Sequence, residues 1–441
     1  MPYIDNIIFL IILAGGIGYF AFNLRKTVRN IKLGRPYDRT DRKNERWKNV
    51  LLKAFGQKKM FKRPVPALLH LAVYLGFIII NIEVVEIVID GLFGTHRVLK
   101  FTGGFYNFLI ASFEILALLV IIAVGLFWIR RNVIKLWRFH MPEMKGWPKK
   151  DANYILYFEF VLMIAFLLMN AADYKLQLLK HEHYYDENYG ITGSFPVSGL
   201  LTNLLPENPE ALIILERGAW WFHIAGILIF LNYLYISKHY HILLAFPNTF
   251  YAKLPPLGKW DNLESVKKQV EMMMDPGADP YAVPEEDEEP ERFGAKDIFD
   301  LKWINILNAY TCTECGRCTD VCPANSTGKK LSPRKIMMDV RDRTEEIGKI
   351  IDKKGSFEDD GKSLFDYISK EEIWACTTCN ACVEECPVEN DPMDVIIQLR
   401  QYLVLEESAA PAELNLMFTN VENNGAPWQY SQADRLNWID E

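Results

Sequence analysis

The sequence predicts a mainly α-helical protein in two parts: a five-span transmembrane helical bundle, then a helical domain built around two cysteine runs. Three observations carry that prediction. Five apolar stretches, all before residue 240, are long enough for a hydrocarbon core that needs about 20 residues. All eight cysteines lie after residue 310, in two runs of identical spacing. Lys and Arg crowd the loops on one side of the spans only.

The spans are expected at residues 3–24, 65–89, 105–129, 154–172 and 211–236. The first has no basic segment before it and is followed by Arg25, Lys26 and Arg29, which is not the pattern of a cleaved leader. Loops 25–63 and 130–151 carry 15 and 7 Lys/Arg, whereas loops 90–104 and 173–210 carry 2 each. Positive loops stay inside. The expected topology is therefore a multi-pass protein of the cytoplasmic (inner) membrane, N-terminus outside, with everything after the fifth span in the cytoplasm. Residues 46–57 are expected to lie on the inner surface as an amphipathic helix. The net charge of −7 over 441 residues hides an early basic and a late acidic half. No basic patch with interleaved aromatics is present, which excludes nucleic acid as a partner.

Each cysteine run reads Cys-x2-Cys-x2-Cys-x3-Cys-Pro: Cys312, Cys315, Cys318 and Cys322 before Pro323, then Cys376, Cys379, Cys382 and Cys386 before Pro387. Two residues between ligands let one tight turn aim three thiolates at a single cluster, and the proline stops that turn continuing. In paired runs of this kind the fourth cysteine crosses to the other cubane. Cluster A is expected on Cys312, Cys315, Cys318 and Cys386, and cluster B on Cys376, Cys379, Cys382 and Cys322. Structural zinc pairs two Cys-x2-Cys hooks and has no use for eight ligands. Disulfides conflict with a reducing compartment. Two 4Fe–4S clusters are the expected cofactors.

Histidines on the spans suggest haem b. His70 lies near the cytoplasmic end of the second span and His241 just past the inner end of the fifth, so they share a depth and form the expected axial pair. His223 and His241 are 18 residues apart, five turns of a continuous helix. They would then share a face about 27 Å apart, suited to stacked cofactors, with His239 about 160° off that face. His223 has no obvious partner, and His96, in the short outer loop after the second span, is the remaining candidate for a second haem. Glu83 and Glu86 share a helix face, and Glu114, Glu216 and Arg217 also sit in outer halves. They either carry protons to or from a quinone or simply pair with one another.

Four segments are expected: a membrane domain at 1–242, an arm and acidic linker at 243–300, the two-cluster domain at 301–407 and a partner-facing tail at 408–441. Residues 246–260 are broken by prolines, residues 262–274 read as a helix, and residues 275–292 read as an acidic tether. A Ser-Pro start at Ser332 opens a helical stretch between the runs, and residues 393–405 form another. The tail holds Leu414, Leu416, Met417, Phe418, Trp428 and Trp438, too apolar for a free terminus.

These residues carry a resemblance. The spans with His70, His223 and His241 look like the cytochrome b subunit of respiratory nitrate reductase. The soluble half, TECGRCTDVCPA…GKKLSPR…WACTTCNACVEECPV…IIQLRQYLV, resembles the small iron–sulfur subunit of heterodisulfide reductase, an α-helical ferredoxin domain. The fused order is similar to membrane-bound electron-transfer-flavoprotein:menaquinone oxidoreductases. The nitrate reductase cytochrome has a second haem histidine where this chain has Ile80. In the fused relatives a segment like NVENNGAPW (residues 420–428) leads into cysteine-rich CCG domains, and no cysteine follows Cys386 here.

The resemblance implies a quinone-linked oxidoreductase subunit of a respiratory chain that carries no catalytic residues of its own. It would pass electrons between cytoplasmic partners and the (mena)quinone pool. Its implied partners are a CCG-domain iron–sulfur subunit and electron-transfer flavoprotein or another soluble flavoprotein. The competing expectations are a membrane-anchored iron–sulfur redox sensor or scaffold, and a part of a heterodisulfide-reductase-like complex.

Overall fold

The computed structural model describes residues 3–277, 292–429 and 431–439. Nearly all of the tether read at residues 275–292 lies outside the described residues. The chain opens with α1 (Ile4–Ile31) and a short α2 (Lys43–Asn49) that runs into a π-helical turn (Val50–Phe55). Next come α3 (Pro64–Phe93), α4 (Gly104–Asn132), α5 (Trp147–Leu178), a one-turn α6 (Ser198–Leu201) and α7 (Pro209–Tyr233). α1, α3, α4, α5 and α7, the last extended by a turn to Ile236, are long and apolar enough to cross a membrane. A backbone in hydrocarbon must satisfy its hydrogen bonds internally, which makes each span a helix. The α3, α4 and α5 helices run past the apolar stretch at both ends, because the hydrogen-bond ladder continues where hydrophobicity stops. α3 packs on α1 and α4, α5 on α4 and α7, and α1 closes against α7. Phe9, Ile80, Phe113, Phe166, Trp220 and Ile224 fill the centre of the bundle.

The fifth span does not continue to His241 as one helix. After a turn at Leu234–Ile236, Ser237 is extended (φ −113°, ψ 149°). The buried Asp151 carboxylate causes the break. It accepts from Tyr233 Oη (2.6 Å), Ser237 Oγ (2.7 Å) and Lys238 N (3.0 Å), capturing groups that a helix would use otherwise. Helical phase cannot be counted across this break, so the expected common face of His223 and His241 does not exist.

A new helix, α8 (His241–Phe250), starts at His241 and contains Pro247. Sequence alone read much of this stretch as an arm on the membrane face. Instead Asn248 is fully buried between the halves, donating to Val388 O (2.6 Å) and Asn390 Oδ1 (2.9 Å) and accepting from Asn308 (2.7 Å). The surface segment at residues 46–57 is also partly reinterpreted. Its buried Arg46 holds the carbonyls of Phe250 and Ala252 (both 3.0 Å), while Trp47, Leu51 and Phe55 face outward.

The expected helix at 262–274 is α9 (Glu264–Met274). The cluster domain then comprises α10 (Trp303–Thr311), α11 (Arg317–Asp320), α12 (Pro323–Ser326), α13 (Pro333–Lys354), α14 (Lys370–Ala375), α15 (Ala381–Glu385) and α16 (Pro392–Leu405), followed by α17 (Ala412–Asn424). No strand occurs among the described residues. α13 starts as the Ser-Pro pair predicts, with Ser332 capping Lys335 N, and ends at Gly355 in the left-handed region (φ +86°).

The two halves share one core, because Ile31, Leu234, Tyr240 and Leu244 pack with Leu301, Ile306, Ile336 and Leu399. The first basic loop grips the late acids, and Arg138 of the second reaches Asp320 (3.8 Å). Lys26 and Arg29 meet Asp352 (2.7 and 2.5 Å), Arg63 meets Asp320 (2.5 Å) and Glu385 (2.8 Å), and Lys53 meets Glu389 (2.6 Å). In the other direction Arg334 meets Glu143 (2.7 Å). The charge asymmetry that reads as membrane topology is therefore also the docking interface, and both basic loops lie on the cluster side.

Candidate redox centre

The two cysteine runs adopt the same local conformation. Glu314 and Thr378, each two residues after a first cysteine, are left-handed (φ 52° and 54°). So are Gly316 and Asn380, each following a second cysteine (φ 70° and 63°). Asparagine tolerates that region, and a Cβ at 316 would in addition lie 2.5 Å from an Arg334 guanidinium nitrogen, which would have to shift. These turns curl each run so that its thiols face inward. Backbone N–H groups then point at sulfur: Thr378 N to Cys376 Sγ (3.4 Å) and Asn390 N to Cys386 Sγ (3.3 Å).

Cys312, Cys315, Cys318 and Cys386 line one cavity, which Cys382 also borders, with Arg334 and Met337 on its wall. Cys376 and Cys382 both neighbour Cys322 of the first run and Cys379 of their own. Cys386 thus stands with the first three cysteines of the other run, and Cys322 beside Cys376 and Cys382. Among the described residues the thiols are free, Cys379 is exposed, and Cys312, Cys322 and Cys382 are buried. Burial pushes the Cys312 thiol up to about 11 and the Cys386 thiol up to about 12. Cys318 and Cys382 also rise well above the ordinary value, again chiefly through burial. A cationic metal group that replaces their protons fits such a donor set.

Behind this cavity lies a pair of imidazoles. The rings of His70 on α3 and His241 on α8 are 6.4 Å apart, centre to centre, and tilted by 42°. Two imidazoles bound at about 2 Å on opposite sides of one iron would have ring centres roughly 6 Å apart. Each Nδ1 faces an acceptor, Gln57 Oε1 for His70 (3.0 Å) and Lys238 O for His241 (3.0 Å). Those acceptors select the Nδ1–H tautomer and leave both Nε2 lone pairs open, as in haem-ligating histidines. The pair fits an axial ligand set. His239 packs edge-on against His241 (5.4 Å) and faces Glu159 (3.7 Å).

Two tethers join this pair to the first cysteine run. Lys238, whose carbonyl orients His241, also forms a buried ion pair with Glu314, which stands between Cys312 and Cys315. Arg317, between Cys315 and Cys318, donates to Lys59 O (3.2 Å), two residues from Gln57. Neither tether was legible in the sequence, because Lys238 and Glu314 lie 76 residues apart and no local pattern links them.

Burial alone would push the Glu314 carboxyl up, but Lys238 and Arg341 outweigh it and hold it down at about 2. Its folded value lies below the ordinary 4.5. The ion pair therefore stabilises the protein above that value and loses its contribution as pH falls from 4.5 towards 2. Glu314→Gln strands a buried cation. It is expected to cost roughly 3–5 kcal/mol and to flatten the acid limb of stability. Thermal loss of cluster absorbance, followed across pH, checks both effects.

The structure does not bring His223 and His96 together. His223 is buried on α7 with Nδ1 on Leu162 O (3.0 Å) and its ring against Phe166. His96 faces Asp173 (3.8 Å) and Tyr184, at the level of Glu216. Seven residues of α7 separate Glu216 from His223, which puts His223 about 10 Å deeper. Of the outer carboxylates, Glu216 pairs with Arg217 (2.5 Å), and Glu86 accepts from Tyr106 (3.0 Å) and Leu99 N (2.9 Å).

Residues 311–390 match the family described as a 4Fe-4S dicluster domain. Over 99% of its length the chain is 31% identical to the probable iron-sulfur-binding oxidoreductase FadF of Bacillus subtilis (strain 168), covering 61% of that protein. It is 24% identical to the EtfAB:quinone oxidoreductase of Syntrophomonas wolfei, over 88% of this chain and 53% of that one. A shorter likeness, 32% over 118 residues, is to one of the polypeptides of the ferredoxin/F(420)H(2)-dependent CoB-CoM heterodisulfide reductase of Methanosarcina acetivorans; it spans 26% of this chain and 60% of that polypeptide. The chain thus spans between half and two thirds of the length of these relatives. No solved structure matches it.

Proposed function

From a chain whose homologues are iron–sulfur oxidoreductases and heterodisulfide reductase subunits with a 4Fe-4S dicluster domain, we infer an electron conduit between a soluble redox partner and membrane quinone. Cys312, Cys315, Cys318 and Cys386 would hold cluster A, Cys376, Cys379, Cys382 and Cys322 cluster B, and His70 with His241 one haem b. When bound, these groups supply one-electron carriers.

Three features of the residues support an order of carriers. Exposed Cys379 makes cluster B the entry point for a soluble partner. The Glu314–Lys238 and Arg317–Lys59 tethers hold cluster A against the histidine pair. The basic loops on that side support a cytoplasmic location for that end of an inner-membrane protein. Leu416, Phe418, Trp428 and Trp438, all exposed, offer an apolar surface for a separate redox subunit bearing CCG domains or a flavoprotein.

The single observation that carries this reading is the 6.4 Å imidazole pair set directly behind the first cysteine run. A redox sensor needs no such path into the bilayer. Adding a menaquinol analogue to the oxidised, purified protein is expected to raise a reduced haem b spectrum. No haem spectrum, or a haem that quinol leaves oxidised, contradicts the reading.

A further inference from the structure

The bundle end facing away from the clusters holds a cavity of about 300 Å³ between α1, α3, α5 and α7. Glu83 lies at its floor and Thr95, His96 and Asp5 near its mouth. Glu83 sits seven residues, about 10 Å, further into the bundle than Asp90, at the same end of α3.

Most of the charged groups around Glu83 are engaged elsewhere. Asp90, on the same helix, accepts from Thr95 Oγ1 (2.5 Å), Arg97 N (2.8 Å) and Val98 N (3.2 Å). On its own helix, Glu86 is hydrogen-bonded to Tyr106 and Leu99 N. Arg97, from the loop after α3, is bound to Asp173 of α5, to Tyr106 Oη (2.9 Å) and to Asn170 (3.0 Å). Glu114 of α4 accepts from Asn170 (3.3 Å) and from Val197 N and Ser198 N (2.9 and 3.0 Å). On α7, Glu216 holds Arg217 and Tyr184 (2.8 Å). His96 rests on Asp173, and Asp5 of α1 lies near the mouth.

Both guanidinium groups are therefore already engaged by other acids. Glu83 is only 4% exposed, and its Oε2 has no hydrogen-bond partner. A buried, unpaired carboxylate costs several kcal/mol as a charge, so the group is cheapest as the neutral acid. It lines a polar cavity roomy enough for several waters.

We propose that Glu83 is a proton-exchange site, taking up and returning protons through this cavity to the water on the side opposite the clusters. Its ligand is the proton, carried by cavity water. The link to redox chemistry rests on the proposed function: a quinol that becomes a quinone gives up two electrons and two protons. The electrons leave towards His70, 13 residues and about 20 Å along α3 from Glu83. The protons leave the other way, through the Glu83 carboxyl, which releases each proton to water before accepting the next. Quinone reduction runs the same transfers in reverse. Electron and proton paths then separate across the bilayer, and turnover moves charge.

The test uses the full chain in proteoliposomes, oriented with the clusters outside or inside. Dicyclohexylcarbodiimide reacts with neutral buried carboxyls, and peptide mass spectrometry reads the adduct. Glu83 is expected to be labelled, and labelling should fall when the far-side medium is made alkaline. Making the cluster side alkaline should change nothing. With Glu83→Gln, a membrane-impermeant pH dye should report far-side proton release on quinol addition slowed by about 10²-fold. Haem and cluster spectra serve as the check on folding of the variant. Labelling that follows cluster-side pH, no labelling of Glu83, or wild-type release in Glu83→Gln overturns the proposal. Quinol that fails to reduce the haem would instead overturn the quinone reading, and the labelling arm would still decide the role of Glu83.

Discussion

Cys386→Ser is expected to destroy the cluster held by the other cysteine run and to spare the one in its own. Cys386 stands in the second run by sequence, yet it lines the cavity of Cys312, Cys315 and Cys318. Serine is nearly isosteric but a poor ligand for iron, so cluster A should be lost or converted to a three-iron form. Cys322→Ser should do the converse to the cluster of Cys376, Cys379 and Cys382. Electron paramagnetic resonance of the reduced variants, with iron counts per chain, reads each loss. If Cys386→Ser removes cluster B, or Cys322→Ser removes cluster A, the crossed arrangement is wrong.

On the proposed function, His70→Ala and His241→Ala are each expected to abolish the whole haem spectrum, because one axial pair would hold one haem. His239→Ala should keep it with a modest shift, since that ring packs beside His241 instead of opposite it. Gln57→Ala should be intermediate. It leaves both ligands but removes the acceptor that orients His70, and such outer partners are worth about 10–100-fold in affinity. His223→Ala should leave the spectrum intact. A spectrum lost with His239→Ala and kept with His241→Ala would transfer the site to the neighbouring ring.

What the sequence disclosed follows from which interactions are local. The cysteine spacing encodes the turns themselves, so the curl of each run was legible, whereas the crossed fourth ligand is the proposal that Cys386→Ser tests. Hydrophobic length encodes a span, and all five appear. His70 and His241 were paired by depth, which loop charge sets, and the rings do meet. Helical phase failed at Ser237, because the cause of the break, Asp151, lies 86 residues earlier in the chain. Residues 246–250 looked like an exposed arm because Pro247 reads as a breaker. It stands inside α8, at the seventh of its ten positions, where it removes one N–H bond to Leu243, and the burial of Asn248 and Thr249 just after it holds the helix in place. The proposed partner for His223 failed because depth along a helix, not membership of an outer loop, decides what a buried side chain can touch.

The central claim, one continuous electron path from cluster B to quinone, is tested most directly by reoxidation. Protein reduced with stoichiometric dithionite is mixed with a menaquinone analogue, and haem and cluster signals are followed together by optical and freeze-quench resonance spectra. The account predicts that all three centres reoxidise in the wild type. In Cys386→Ser the haem should reoxidise while cluster B stays reduced. Reoxidation of cluster B at the wild-type rate in that variant would contradict the path.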